Sequence, residues 1–116
     1  MLSRVATRFQ SLACGAVALV FYLLLPNQSY GLDSAWYALE ARAGGDLFHP
    51  HHLLYNALGY LAYRFAGRPL GIDAIALLAA LDAVLAAGAI ACLHAVLRQV
   101  TGSARMAWAF ALFCAF

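Results

Sequence analysis

The chain has 116 residues, of which 66% are hydrophobic and only 10% charged, with a mean hydropathy of +0.81. A water-soluble domain of this size needs far more polar surface to cover its core, so the composition excludes one and indicates an all-α, helical integral membrane protein. A net charge of +2, from seven arginines and no lysine against five acids, is too small to point to nucleic acid. Alanine richness with arginine in place of lysine suits a GC-rich bacterial genome, and so a bacterial inner membrane.

Arg4 and Arg8 precede an apolar run that predicts a first transmembrane helix over residues 9–25, closed by Pro26. About seventeen residues rise roughly 25 Å, enough for a short span. The following Pro26-Asn27-Gln28-Ser29-Tyr30 holds no small-x-small cleavage signal. The helix therefore reads as an uncleaved anchor with its amino terminus in the cytoplasm, rather than as a signal peptide.

Residues 26–70 read as an extracytoplasmic loop with two surface helices. Its segment from Gly31 to Asn56 holds three of the five acidic residues and three of the four histidines. The first helix is expected over about 34–43, capped by Asp33 or Ser34 and stopped by Gly44-Gly45. Its spacing sets Asp33, Tyr37 and Glu40 on one face and Trp36, Leu39 and Ala43 on another. The second is expected over 50–66, with Pro50 at its first position, Gly67 ending it and Pro69 following. His52, Tyr55, Asn56, Gly59, Tyr60 and Tyr63 share one face, opposite Leu53, Leu54, Ala57, Leu58, Leu61 and Phe65. Such a helix suits the lipid–water boundary or the wall of a polar cavity.

The strongest span covers 72–97 and is followed by Arg98 and Arg105. A last apolar run, 106–116, is too short to cross a bilayer, so the chain reads as the amino-terminal piece of a longer protein whose further spans complete the bundle. If helix 50–66 lies at the outer surface, Arg98 and Arg105 fall in the cytoplasm beside Arg4 and Arg8, as the positive-inside rule favours. Arg64 and Arg68 weigh the other way.

Ionisable side chains gathered beside membrane spans mark places of chemistry or binding. Asp33 is the first candidate, because a carboxylate at a membrane surface can take a proton from an attacking hydroxyl or hold a divalent cation near a phosphate. The same residue suits a helix cap. Glu40, two turns on and about 10 Å along the axis, is too far to share a proton with it and competes with a plain solvated face. Asp46 reads as a turn residue. His49, His51 and His52 suit a headgroup or substrate phosphate, and no metal site is assigned to them because no HExxH-like pattern accompanies them. Arg42 and Arg68 suit bidentate grip of a phosphate or simple headgroup contact.

Asp82 is expected near the middle of the long span, where a bare charge costs at least several kcal/mol, so it must be protonated or paired with a polar group on another helix. Ala79, Ala83, Ala87 and Ala91 would let a helix approach closely. His94 is expected to snorkel or pack near the cytoplasmic end. Cys14, Cys92 and Cys114, odd in number and without CxxC spacing, read as small buried hydrophobes.

The segment Asp33-Ser-Ala-Trp-Tyr37-Ala-Leu-Glu40-Ala-Arg42-Ala-Gly-Gly-Asp46 resembles the Asp, Tyr-Ala, Arg and Gly-Asp pattern of C-type (GT-C) membrane glycosyltransferases, such as aminoarabinose transferases and protein O-mannosyltransferases. His49-Pro50-His51-His52-Leu-Leu-Tyr55 falls where those enzymes carry a Pro-containing entry to a juxtamembrane helix. Leu81-Asp82, with Leu93 to Arg98 and Thr101-Gly102, resembles their following span. The resemblance implies a GT-C-like bundle with juxtamembrane helices and a polyprenyl-phosphate sugar donor used outside the cytoplasm. It also implies Asp33 as catalytic carboxylate, acting as a base or through a divalent cation; from the reading of the residues themselves, Glu40, Arg42, His49, His51, His52 and Tyr55 are expected toward the substrate. Two other readings compete: a proton-coupled transporter or flippase-like subunit using Asp82 and the histidines, and a small non-enzymatic membrane protein assembling through its alanine stripe.

Overall fold

The structure, a computed structural model, describes residues 2–25, 32–48 and 54–116. Every described element is helical: α1 (Leu2–Leu24), α2 (Leu32–Ala43), α3 (Tyr55–Ala62), a π turn (Tyr63–Gly67), α4 (Arg68–Leu70), α5 (Ala74–Thr101) and α6 (Ala104–Ala115). Two of them are long and apolar enough to cross a membrane, over Val5–Leu24 and Ala74–Thr101. The chain divides into two compact units. One comprises Met1–Pro26 with Ala83–Phe116 and the other Asn27–Asp82, so α5 contributes its first turns to the second unit and the remainder to the first.

The first unit is a three-helix bundle. Ser11 of α1 meets His94 of α5, while Gly15 lies against Ala87 and Ala91, so α1 and α5 run antiparallel. Tyr22 donates to the carbonyl of Ala115 at 3.0 Å, and Cys14 and Ala18 pack with Ala111, so α6 runs parallel to α1. Small residues make this packing close, as they do where helix association depends on van der Waals fit. A Cβ at Gly15 would stand 2.8 Å from the Ala87 carbonyl oxygen. Ser103 caps α6, its hydroxyl accepting the Met106 N–H. Arg8, Arg98 and Arg105 lie at the end of the bundle where α1 and α6 begin and α5 ends. Cys14 is buried as expected of a small hydrophobe, whereas Cys92 and Cys114 are exposed.

In the second unit, Ala38 and Ala41 of α2 pack with Ala74 and Leu78 of α5, and Tyr37, Tyr55 and Tyr63 close around them. Gly59 lets α3 approach, since a Cβ there would meet Leu78 at 2.8 Å and Ala41 at 3.6 Å. Helix α2 stops at Gly44, whose φ of +69° suits glycine and whose N–H returns to the Glu40 carbonyl at 2.8 Å.

The second surface helix does not end at Gly67. It runs on to Leu70 and stops at Gly71, with φ of +67°. Proline at position 69 lacks an N–H and would clash with the carbonyl four residues back in a regular α-helix. Widening the preceding turn relieves this: the Arg68 N–H reaches back to the Tyr63 carbonyl, a five-residue step. The expected start at Pro50 lies outside the described residues. The span expected over 72–97 is α5, beginning at Ala74 and continuing to Thr101.

Candidate functional site

The second unit holds all five acidic residues, and they are put to different uses. Asp33 stands in the first turn of α2, one residue inside the helix rather than before it, because α2 already begins at Leu32. A carboxylate there is favoured by the partial positive charge of the helix terminus. Its side chain is exposed and makes no hydrogen bond or ion pair with another described residue.

One turn further along α2, the Tyr37 ring meets the Tyr55 ring edge-on, with centroids 5.4 Å apart. The Tyr55 hydroxyl donates to Oδ2 of Asp82 at 3.1 Å. Half-buried Tyr55 is held above the usual phenol range, first by loss of solvent and then by the negative charge of Asp82. Two site residues expected from sequence, Tyr55 and Asp82, are thus joined directly, and Tyr37 links them to the helix that carries Asp33. Asp82 does not occupy the middle of its helix. In a helix running from 74 to 101 it lies in the first third, about 12 Å from the amino end and about 24 Å from Arg98.

Glu40 and Arg42 are engaged in holding the unit together. Oε2 of Glu40 accepts the Asp46 N–H at 2.6 Å across the Gly44-Gly45 turn, and the Asp46 carbonyl accepts from Nδ2 of Asn56 at 2.8 Å. This chain of bonds ties the end of α2 to the first turn of α3. Asn56 is buried, and its Oδ1 has no partner among the described residues. Arg42 pairs with Asp73 at 3.1 Å, both about half exposed, and its guanidinium lies 5.8 Å from the centre of the Tyr63 ring. The other Asp73 oxygen accepts the Ile75 N–H at 2.9 Å and so caps α5. That cap was missed in the sequence, although Asp directly before an apolar helical run is its ordinary signal. His49, His51 and His52 lie outside the described residues. Among the described residues, no three His, Cys, Asp or Glu side chains gather closely enough to hold a metal ion.

α3 turns its polar face inward. Asn56 and Gly59 are buried, while Leu54, Leu58, Leu61 and Phe65 are exposed, as are Trp36 and Leu39 of α2. Exposed hydrocarbon backed by tyrosines and asparagine is the reverse of a water-facing arrangement.

A second polar constellation, not expected from sequence, lies in the three-helix bundle. His94 is fully buried, so of its two expected roles it packs and does not snorkel, its Nδ1 3.0 Å from Oγ of Ser11 and its ring edge-on to Trp108 at 5.5 Å. The Ser11 hydroxyl donates to the Thr7 carbonyl at 3.0 Å, so the proton in the Ser11–His94 bond comes from Nδ1. His94 is a single polar interruption of an apolar stretch, whereas Ser11 directly follows Gln10 and gives no such local signal.

No protein-family model matches the chain, and no curated protein and no solved structure matches it significantly.

Proposed function

We propose that the chain is the membrane-embedded amino-terminal part of a glycosyltransferase of the C-type, and that Asp33 assists transfer of a sugar from a polyprenyl phosphate to a hydroxyl acceptor outside the cytoplasm. Membrane insertion is supported by the two long apolar helices and by the many large apolar side chains they turn outward, Phe9, Leu12, Leu24, Val84 and Val96 among them. The antiparallel course of α1 and α5 supports the topology. With Arg8, Arg98 and Arg105 in the cytoplasm, residues 25–73 begin and end on the outer side. On this reading α3 lies at the outer boundary with Leu58, Leu61 and Phe65 toward lipid.

The observation that carries the catalytic role is the division of labour among the carboxylates. Glu40, Asp73 and Asp82 are each tied by side-chain hydrogen bonds to the fold, whereas the carboxylates of Asp33 and Asp46 stand exposed without such a bond among the described residues, and of these two Asp33 is the one that the resemblance marks as catalytic. In the reaction, the acceptor hydroxyl oxygen bonds to the anomeric carbon. The bond from that carbon to the phosphate oxygen breaks, the polyprenyl phosphate leaves with the electron pair, and Asp33 takes the hydroxyl proton.

The test uses membranes carrying the full reading frame and a labelled polyprenyl-phosphate sugar. Asp33→Asn is expected to lower transfer by about 100-fold or more, the usual weight of a general base, with expression unchanged. Asp46→Asn, the other carboxylate without a side-chain bond among the described residues, serves as the control and is expected to retain most activity. Near-normal turnover in Asp33→Asn would overturn the assignment.

A further inference from the structure

We infer that the three-helix bundle carries a binding cleft for an anionic phospholipid at its arginine-bearing end, independent of the Asp33 site. A cleft of about 840 Å³ opens between α1 and α5, lined by Arg8, Ser11 and Leu12 on one side and Ala91, Ala95 and Gln99 on the other. It follows from the sequence of α5. Alanines one turn apart leave that helix low where it faces Leu12, while Gly15 holds the two helices together just beyond. From Gln99 to Ala91 the cleft runs about 12 Å along α5.

Its chemistry changes along that length. The inner part is hydrocarbon from Leu12, Ala91 and Ala95, and the mouth carries the guanidinium of Arg8 and the amide of Gln99, both exposed. Neither makes a hydrogen bond with another described residue. Of the other polar groups nearby, several are engaged, while Nε2 of His94 and Nε of Arg98 are buried without a partner among the described residues. The Ser11 hydroxyl serves Thr7 and His94, and Arg98 donates to the Gly102 carbonyl. The unit has four arginines and no acid, so nothing of opposite sign within it answers Arg8. A phosphate at the mouth with an acyl chain along the alanine floor complements both ends of the cleft, as basic pockets between membrane helices do for acidic headgroups.

Native mass spectrometry of the purified full chain, given phosphatidylglycerol or phosphatidylcholine of identical acyl composition, tests this. Phosphatidylglycerol is expected to be retained preferentially. Arg8→Gln is expected to lower that retention about fivefold, the weight of one arginine near an anionic surface. Ala95→Leu, which fills the floor, lowers retention of the same lipid, while Arg105→Gln leaves it unchanged; circular dichroism verifies that each variant is folded. Equal retention of the two lipids would overturn the inference, as would loss with Arg105→Gln equal to that with Arg8→Gln, which would reveal diffuse charge. Displacement of the lipid by inorganic phosphate at matched ionic strength would also overturn it, since the site would then recognise the ion alone. Asp33→Asn leaves lipid retention untouched, so the two proposals fail separately.

Discussion

The two units of this chain solve opposite problems with different residues. The three-helix unit holds four arginines and no acid, and its interior is built from Cys14, Ala18, Ile90, Ala107 and Ala111, with one polar pair, Ser11 and His94, bonded to each other. The other unit holds every acid and three arginines, and its elements are joined by polar contacts: Glu40 to Asp46, Asp46 to Asn56, Arg42 to Asp73 and Tyr55 to Asp82. Close packing of small residues suffices where helices are long and side by side. Short helices bury too little to hold one another that way, and hydrogen bonds supply the missing register. Among the described residues, the second arrangement brings acids and bases together, and it leaves two carboxylates, Asp33 and Asp46, without a side-chain bond.

The same substitution made in both units tests this contrast most strongly. Alanine at Gly15 places its Cβ against the Ala87 backbone and 2.9 Å from the Ala91 Cβ, neither of which can turn aside. After the gain of about 1 kcal/mol in helix propensity, a net loss of about 1–2 kcal/mol is expected from overpacking, measured by reversible unfolding in mixed micelles. Alanine at Gly59 comes too close only to the end of Leu78, which can rotate, and meets Ala41 at an ordinary contact distance, so its net effect is expected near zero. Equal losses at the two sites would show that the units pack alike.

A smaller effect is expected from pH. Tyr55 holds its proton more tightly when folded than the ordinary value of about 10. Above that pH the unfolded chain has lost the proton and the native chain keeps it, so stability present below pH about 10 declines as pH rises toward the folded value. Tyr55→Phe should flatten this alkaline decline, and titration of the tyrosinate absorption band should show one late-titrating group missing. An unchanged alkaline limb would mean that neither burial nor the charge of Asp82 holds the Tyr55 proton in solution.

The smallest effect is expected at Arg42–Asp73, about half exposed on both sides. Arg42→Ala should cost less than about 1 kcal/mol, because exposed ion pairs gain little over water. Asp73→Ala should cost more, since it also removes the cap of α5.

The sequence by itself determined the helical elements and their apolar stripes. Hydrophobic period, Gly44-Gly45 and the arginines beyond the apolar runs are local features, and local features set where a helix starts, stops and presents hydrocarbon. Even so, Pro69 misled: nothing local reveals that the turn before it widens to let the helix continue to Leu70. Which polar groups are free and which are spent was decided by tertiary structure alone. Glu40 looked like a ligand until Asp46 took it, Asp82 found Tyr55 across 27 residues, and His94 found Ser11 across 83. Hydrogen-bond partners far apart in the chain leave no periodicity to read, because their spacing is set by how helices pack and not by the pitch of any one of them.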